Sequence, residues 1–339
     1  MTDIAQNPIR VIVAVDFSDE IMEQLNNISD KLQIERHFPN VPDDVYTDAE
    51  VLYTIRHYPE PEQAPLLRWI QLHHAGVERT LKLPIVQAED VEVTTASGIH
   101  VTPIAEYCLG MMLTFMYKIP QMLKFKEETR WPESKYTIFK PHGLRGLTLG
   151  IAGYGSIGRE LARIADAMGM TVLATKYNLM STDEKNYMEK GTGDPTGDIP
   201  ERLYPAEALL SMARECDFLV IATPLTEQTH HLVDEVVLGA MKESAILINI
   251  SRGAVVDEAA LVSALAAEKI AGAALDVFET EPLPKTSPLW NLDNAIISPH
   301  VSGNSILYNE KAAVLFMENL QRYVDKRPLL NRISRELGY

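Results

Sequence analysis

Three apolar stretches of the chain each run directly into polar residues able to do chemistry. ILINISRGAVVDEAAL presents Ser251 and Arg252, GAALDVFETEPLP presents Asp276 and then Glu281, and AIISPHVSGNS presents His300 ahead of Gly303. A guanidinium grips carboxylates, and an imidazole takes or gives a proton near neutral pH. Each apolar run has the length of a strand, and open α/β sheets bind ligands beyond the carboxyl ends of their strands. An Arg, a Glu and a His at three such ends point to one site.

A fourth stretch concerns anions. Gly153-Tyr154-Gly155-Ser156-Ile157-Gly158 follows a strand expected over 147–152. It precedes a helix that places Ile157, Leu161, Ile164, Ala165 and Met168 on one face and stops at Gly169. In that context the glycine spacing is a dinucleotide turn. Gly153 permits the tight bend, Gly155 lets a pyrophosphate approach the backbone, and Gly158 lets helix and strand pack closely. The amides of Ser156 and Ile157 then face the anion at the positive end of the helix.

The next strand, in TVLATKYN, departs from the NAD pattern. NAD sites usually place an acid there, roughly 20 residues beyond the turn, to hold the ribose. Here the strand ends on Thr175 and Lys176, and no carboxylate follows until Asp183. A lysine cannot accept hydrogen bonds from ribose hydroxyls, but it pairs with a 2′-phosphate, and Thr175 adds a hydroxyl donor. NADP(H) is therefore the favoured cofactor, with NAD(H) possible.

These residues need elements to position them. From about 104 a long amphipathic helix begins, which Pro120 kinks or ends. The runs LTLGIAG, TVLAT, FLVIATP, AILINI, AGAALDV and AIISP then alternate with helical segments. Strands so apolar on both faces belong in a parallel sheet covered by helices, a doubly wound domain over 104–303. The first hundred residues show a second α/β pattern. It has strands at 10–15, 51–55 and 92–95, a helix near 64–73, and a helix capped by Ser18 with Ile21, Leu25, Ile28 and Leu32 on one face. The tail carries a helical pattern at 312–324 without a sheet of its own, and most simply packs on the N-terminal domain. Residues 177–205, rich in Gly and Pro, make a surface excursion.

Composition narrows the function class. With 339 residues the chain forms about two domains, and its net charge of −16 repels the phosphates of nucleic acids and anionic membranes. Cys108 and Cys216 lie in apolar sequence far apart, as buried free thiols of a reducing compartment do. MTDIAQNPIRVIVAVDF lacks the architecture of a signal peptide, so a cytoplasmic location is expected. Residues 101–119 form the one long apolar stretch, and Pro103 and Glu106 make it a buried helix rather than a membrane span. The pairs His73-His74 and His230-His231 lack further ligands at suitable spacing, and no metal is expected.

Taken together, GYGSIG, PLTEQT at 224–229, NISRGAVVDEAAL, GAALDVFETEPLP and SPHVSG resemble the D-isomer-specific 2-hydroxyacid dehydrogenases in order and spacing. The resemblance covers nearly the whole chain. It implies two Rossmann/flavodoxin-like α/β domains with parallel sheets. The substrate domain is split between 1–103 and 304–339, and the dinucleotide-binding domain spans 104–303. It also implies an NAD(P)-dependent oxidoreductase of the CH–OH group, passing a hydride between a nicotinamide and a small 2-oxo or D-2-hydroxy acid.

By motif, Arg252, Glu281 and His300 would be the catalytic set. His300 as imidazolium would protonate the carbonyl oxygen, Glu281 would hold the ring and favour its charged form, and Arg252 would bind the substrate carboxylate and polarise the carbonyl. HHAGVE, 73–78, resembles the family's carboxylate loop, with Ala75 and Gly76 as amide donors. On the cofactor side the resemblance adds Thr223, Pro224, Ile250, Ser251 and Gly303, with Asp276 on the nicotinamide carboxamide. It also implies a homodimer paired through Met111, Met112, Leu113, Phe115 and Met116. Formate dehydrogenases, a related branch, typically carry Gln where this chain has Glu281. A dinucleotide-sensing, co-repressor-like binding protein shares the fold and the set, and stays open as an alternative.

Overall fold

The α/β alternation becomes two all-parallel sheets in a computed structural model that describes residues 8–180 and 186–338. The first sheet has five strands: β1 (Ile9–Ala14), β2 (Leu32–Arg36), β3 (Val51–Thr54), β4 (Trp69–Leu72) and β5 (Glu92–Thr94), in the order β2-β1-β3-β4-β5. The second has seven. They are β6 (Thr148–Ala152), β7 (Thr171–Lys176), β8 (Arg202–Pro205), β9 (Phe218–Ile221), β10 (Ile246–Asn249), β11 (Gly272–Leu275) and β12 (Ala295–Ile297), in the order β12-β11-β10-β9-β6-β7-β8. The described residues divide into two compact units, one of 8–99, 186–187 and 305–338, the other of 100–180 and 188–304.

In the first unit the Ser18 hydroxyl accepts from the Ile21 amide at 3.3 Å and starts the helix Asp19–Asn26, which buries Ile21 and Leu25. The expected helical face runs further, through Ile28 to Leu32. The chain instead turns at Ser29, whose carbonyl accepts from the Leu32 amide at 3.1 Å, and Leu32 opens β2. The helix expected near 64–73 is a second correction. All four residues of β4 are buried, and β4 pairs with β3 on one side and β5 on the other. A short apolar run suits a buried helix and a buried strand alike, and here two-sided pairing decides.

The tail belongs to this unit. Its helix Tyr308–Val324 buries Ala313, Phe316 and Leu320 against a core that includes Val11, Tyr53 and Trp69. The Asn319 amide donates to Gln71 Oε1 at 3.1 Å and to the Leu330 carbonyl at 3.2 Å, tying the helix to β4. The N-terminal sheet would otherwise expose this apolar face to water.

In the second unit the helix Val101–Met116 buries one stripe, Val101, Ile104, Ala105, Cys108 and Met112, and not its whole circumference. Lys118 adopts the left-handed conformation at φ 53°, and Pro120 falls in the first turn of the next helix, Ile119–Glu127. A proline there forfeits no hydrogen bond, so it separates two helices rather than kinking one. No helix among the described residues is long and apolar enough to cross a membrane. Both cysteines are buried and free, and burial pushes both thiols above their ordinary range.

Strand β8, at the end of the 177–205 excursion, was not anticipated. Residues 181–185 of that excursion lie outside the described residues. Its later part is held to the glycine turn. Tyr154 Oη donates to Asp194 Oδ2 at 2.5 Å, while the amides of Gly197, Asp198 and Ile199 donate to the same carboxylate at 3.1–3.2 Å. β6 lies between β9 and β7, so the strand order reverses beside it. Such a reversal opens a crevice at the carboxyl ends, and that is where the glycine turn begins.

Candidate active site

The glycine turn leaves β6 with Gly153 at φ 102°, and a Cβ there would meet the Ala222 carbonyl oxygen at 2.9 Å. A Cβ on Gly158 would lie 2.5 Å from the Gly153 carbonyl oxygen, so helix and strand approach as their spacing implies. At Gly155 the reverse holds, with nothing within 4 Å of an added Cβ. Behind Gly155 the helix Ser156–Ala167 begins, offering the amides of Ser156 and Ile157. Its buried face is Leu161, Ala162 and Ala165, whereas Met168 is half-exposed, because the chain turns at Gly169, where φ is 77°.

Thr175 is buried and works inside the turn. Its hydroxyl accepts from the Gly153 amide at 3.1 Å, and its carbonyl accepts from the Tyr154 amide at 2.9 Å. That bond uses a lone pair of the hydroxyl and leaves its hydrogen, the donor expected of Thr175, uncommitted. Lys176 closes β7 half-buried, one residue beyond the pair Ala152–Thr175 that aligns β6 with β7. Across the crevice, β9 leads to Thr223, whose Oγ1 is buried and has no hydrogen-bond partner among the described residues. Pro224 follows, its carbonyl accepting from Thr229 Oγ1 at 2.6 Å within the PLTEQT turn. Open space at Gly155, helix amides behind it and an orphaned buried hydroxyl opposite are what a dinucleotide would use.

β10 delivers Ile250 and Ser251, both buried, and then Arg252. Asn249 organises this end. Its side-chain oxygen accepts from the Ser251 amide at 3.1 Å and hydroxyl at 3.0 Å, and its nitrogen donates to the Arg252 carbonyl at 3.1 Å. At Gly253 an added Cβ would lie 1.8 Å from the Phe278 carbonyl carbon, so the Arg252 loop lies directly against the loop carrying Glu281.

Glu281 uses both oxygens. Oε1 accepts from the Phe278 amide at 3.1 Å, and Oε2 lies 2.9 Å from His300 Nδ1. His300 sits half-exposed in the left-handed conformation at φ 54°. Such a conformation is strained for a non-glycine residue and persists only where its surroundings impose it. Asp276 imposes it. This fully buried carboxylate accepts from the amides of Val301 and Ser302, each at 2.9 Å, and from Ser298 Oγ at 2.5 Å, which in turn is 2.7 Å from Tyr107 Oη. Gly303 follows, within 3.2–3.7 Å of His100 and Ile104 when given a Cβ. Asn249 and Tyr107 were missed from sequence. A polar residue ending the apolar ILIN strand was the available signal for the first, and Tyr107 carried none.

The sequence pattern of the D-isomer specific 2-hydroxyacid dehydrogenase NAD-binding domain matches residues 109–302. The chain belongs to this family. It is an NAD(P)-dependent oxidoreductase of the CH–OH group. A glyoxylate reductase of Korarchaeum cryptofilum is 33% identical over 76% of this chain and 74% of that one. One of Aeropyrum pernix is 31% identical over 97% of this dehydrogenase and 96% of its own length. A D-isomer specific 2-hydroxyacid dehydrogenase from Xanthobacter autotrophicus, solved with NADPH and MES, superposes with a TM-score of 0.78 at 26% identity, covering 98% of this chain and all 100% of that one. These likenesses favour the enzyme and lend nothing to the co-repressor alternative.

The HHAGVE loop of this dehydrogenase leaves β4 in the first unit. Ala75 is exposed and Gly76 half-buried, and among the described residues neither amide donates to a protein acceptor. His73 is buried beneath them, and burial pushes its imidazole down to about 4 from 6.5, with His74 acting in the same direction. Between those two values the unfolded chain binds a proton that the folded chain does not. This contribution to stability is therefore complete above pH 6.5 and is lost as pH falls toward 4. We expect the melting temperature to drop across that window and the drop to shrink in His73→Gln. Identical slopes for the two proteins would refute it. Elsewhere, His231 Nε2 lies 2.9 Å from Glu279 Oε1 and Nδ1 lies 4.0 Å from Asp257 Oδ2, but both carboxylates also accept backbone amides of the neighbouring helix start.

Proposed function

We propose that this dehydrogenase reduces a small 2-oxo acid to the D-2-hydroxy acid with NADPH preferred, and that glyoxylate is the first substrate to try. The relatives named glyoxylate reductase support the substrate class, and Lys176 at the end of β7 supports the cofactor preference. The observation that carries the reading is the 2.9 Å contact between His300 Nδ1 and Glu281 Oε2, on a loop packed against that of Arg252.

With Nδ1 donating to Glu281, the imidazolium presents its Nε2 proton to the carbonyl oxygen. The bound nicotinamide supplies the hydride to the carbonyl carbon. Arg252 pairs with the substrate carboxylate and stabilises the charge that develops on oxygen. By motif, Ala75 and Gly76 are the proposed amide donors to a substrate carboxylate. Gly153, Gly155, Ser156, Ile157 and Gly158 cradle the pyrophosphate, while Thr223, Pro224, Ile250, Ser251 and Gly303 line the cofactor's path. Asp276 acts through the loop it holds, and its bond to the nicotinamide carboxamide remains part of the proposal. NADPH consumption measured against a panel of 2-oxo acids tests the reading, and a panel without turnover would refute it.

The protein is also proposed to be a cytoplasmic homodimer paired through the region of Val101–Met116. Met111, Leu113, Phe115 and Met116 are half-exposed there, whereas Met112 is fully buried in its own unit and supplies no interface. Tyr117, Ile119, Met122 and Leu123 extend the apolar surface. Light scattering at micromolar concentration should return twice the chain mass. A monomer would exclude the dimer.

A further inference from the structure

The polar groups beneath the HHAGVE loop are too specific to be ordinary core. Tyr53 is fully buried at the third position of β3, and its hydroxyl lies 2.7 Å from His73 Nδ1. Tyr308, from the chain's tail, donates its hydroxyl to the His73 carbonyl at 2.7 Å. The His73 amide donates to the Thr54 carbonyl at 2.9 Å, so both ends of the residue are fixed. Its ring packs between Tyr308 at 4.9 Å, Tyr53 at 5.6 Å and Phe17 at 5.9 Å, centroid to centroid. One residue on, the His74 carbonyl accepts from the Ala96 amide at 3.0 Å, and His74 Nδ1 lies 2.7 Å from the Gly76 carbonyl.

We propose that Tyr53, His73 and Tyr308 are positioning residues for the substrate carboxylate, holding the Ala75–Gly76 turn so that its amides stay aimed outward. The inference rests on the reductase reading above and assigns a role inside it. His73 suits the task as a neutral ring. Nδ1 accepts from the Tyr53 phenol, which burial also keeps protonated, and Nε2 carries the hydrogen. A hydrophobic residue at 73 would pack as well but would leave the buried Tyr53 phenol without its ring partner, while Tyr308 would keep its bond to the backbone carbonyl. The turn itself has no regular secondary structure to stiffen it, so a peptide-level clamp beneath it sets where the amides point.

Carboxylate binding of this kind is made in the ground state and kept in the transition state, so weakening it raises KM and leaves kcat in place. Tyr53→Phe removes one hydroxyl and keeps the ring, and Tyr308→Phe does the same from the other side. Each is expected to raise KM for the 2-oxo acid about tenfold, the ratio one buried hydrogen bond sets, with kcat and the KM for NADPH unchanged. Melting curves of both variants accompany the kinetics. If the wild type turns over and KM stays put in both variants, the positioning role is overturned alone. A parallel fall in kcat, NADPH affinity and melting temperature overturns it too, because that is the mark of a merely structural pair. A wild type that reduces no 2-oxo acid overturns the reductase reading and takes this proposal with it.

Discussion

His300→Ala is expected to lower kcat for 2-oxo acid reduction by about 10²–10⁴-fold, the span general acid catalysis contributes. The dissociation constant for NADPH should barely move, because the glycine turn, Thr223 and Lys176 belong to other strand ends. The His300 loop should hold its course, since Asp276 grips the amides of Val301 and Ser302 rather than the imidazole. Removal of the ring takes away the Nε2 donor and leaves the Glu281 carboxylate half-exposed and hydrated, at little cost to the fold. Rapid mixing of enzyme, NADPH and substrate separates proton delivery from product release. Wild-type turnover in the variant would dismiss His300 as the acid.

The second expected result concerns the cofactor. A charge-assisted contact between Lys176 and a 2′-phosphate is worth about 1.5–3 kcal/mol, so kcat/KM for NADPH should exceed that for NADH by about 10- to 150-fold. Thr175 is buried in the turn, so the difference is assigned to Lys176. Lys176→Asp replaces the cation with an acceptor that repels phosphate and receives ribose hydroxyls, and should reverse the preference toward NADH. The substitution lies at a strand end and leaves the β6–β7 register alone. A wild type that prefers NADH would defeat the assignment, as would a Lys176→Asp variant that keeps its preference for NADPH.

Much of this molecule could be read along the chain, where local chemistry dictates the outcome. Five of the six apolar runs of the second unit are strands buried on both faces, and the sixth, β12, is half-buried at the sheet edge. Ser18 caps its helix through its own hydroxyl, and Gly153 and Gly158 bend and pack as their lack of a Cβ allows. The sequence also placed Arg252, Glu281 and His300 at three strand ends, and the structure brings His300 within 2.9 Å of Glu281 on a loop against that of Arg252.

Tertiary structure decided everything that depends on a distant partner. β4 and an apolar helix turn are written in the same residues, and only pairing with β3 and β5 chose the strand. Leu32 continues a helical spacing yet begins β2, because hydrogen bonding to β1 outweighs one more helical turn. Tyr107 and Asp276 acquire their roles from contacts across the second unit, and Tyr53, His73 and Tyr308 from contacts across the first. Spacing along a chain reports which side chains share a face of one element. It carries no record of which element lies opposite, and hydrogen bonds between residues 20 to 235 positions apart are settled there.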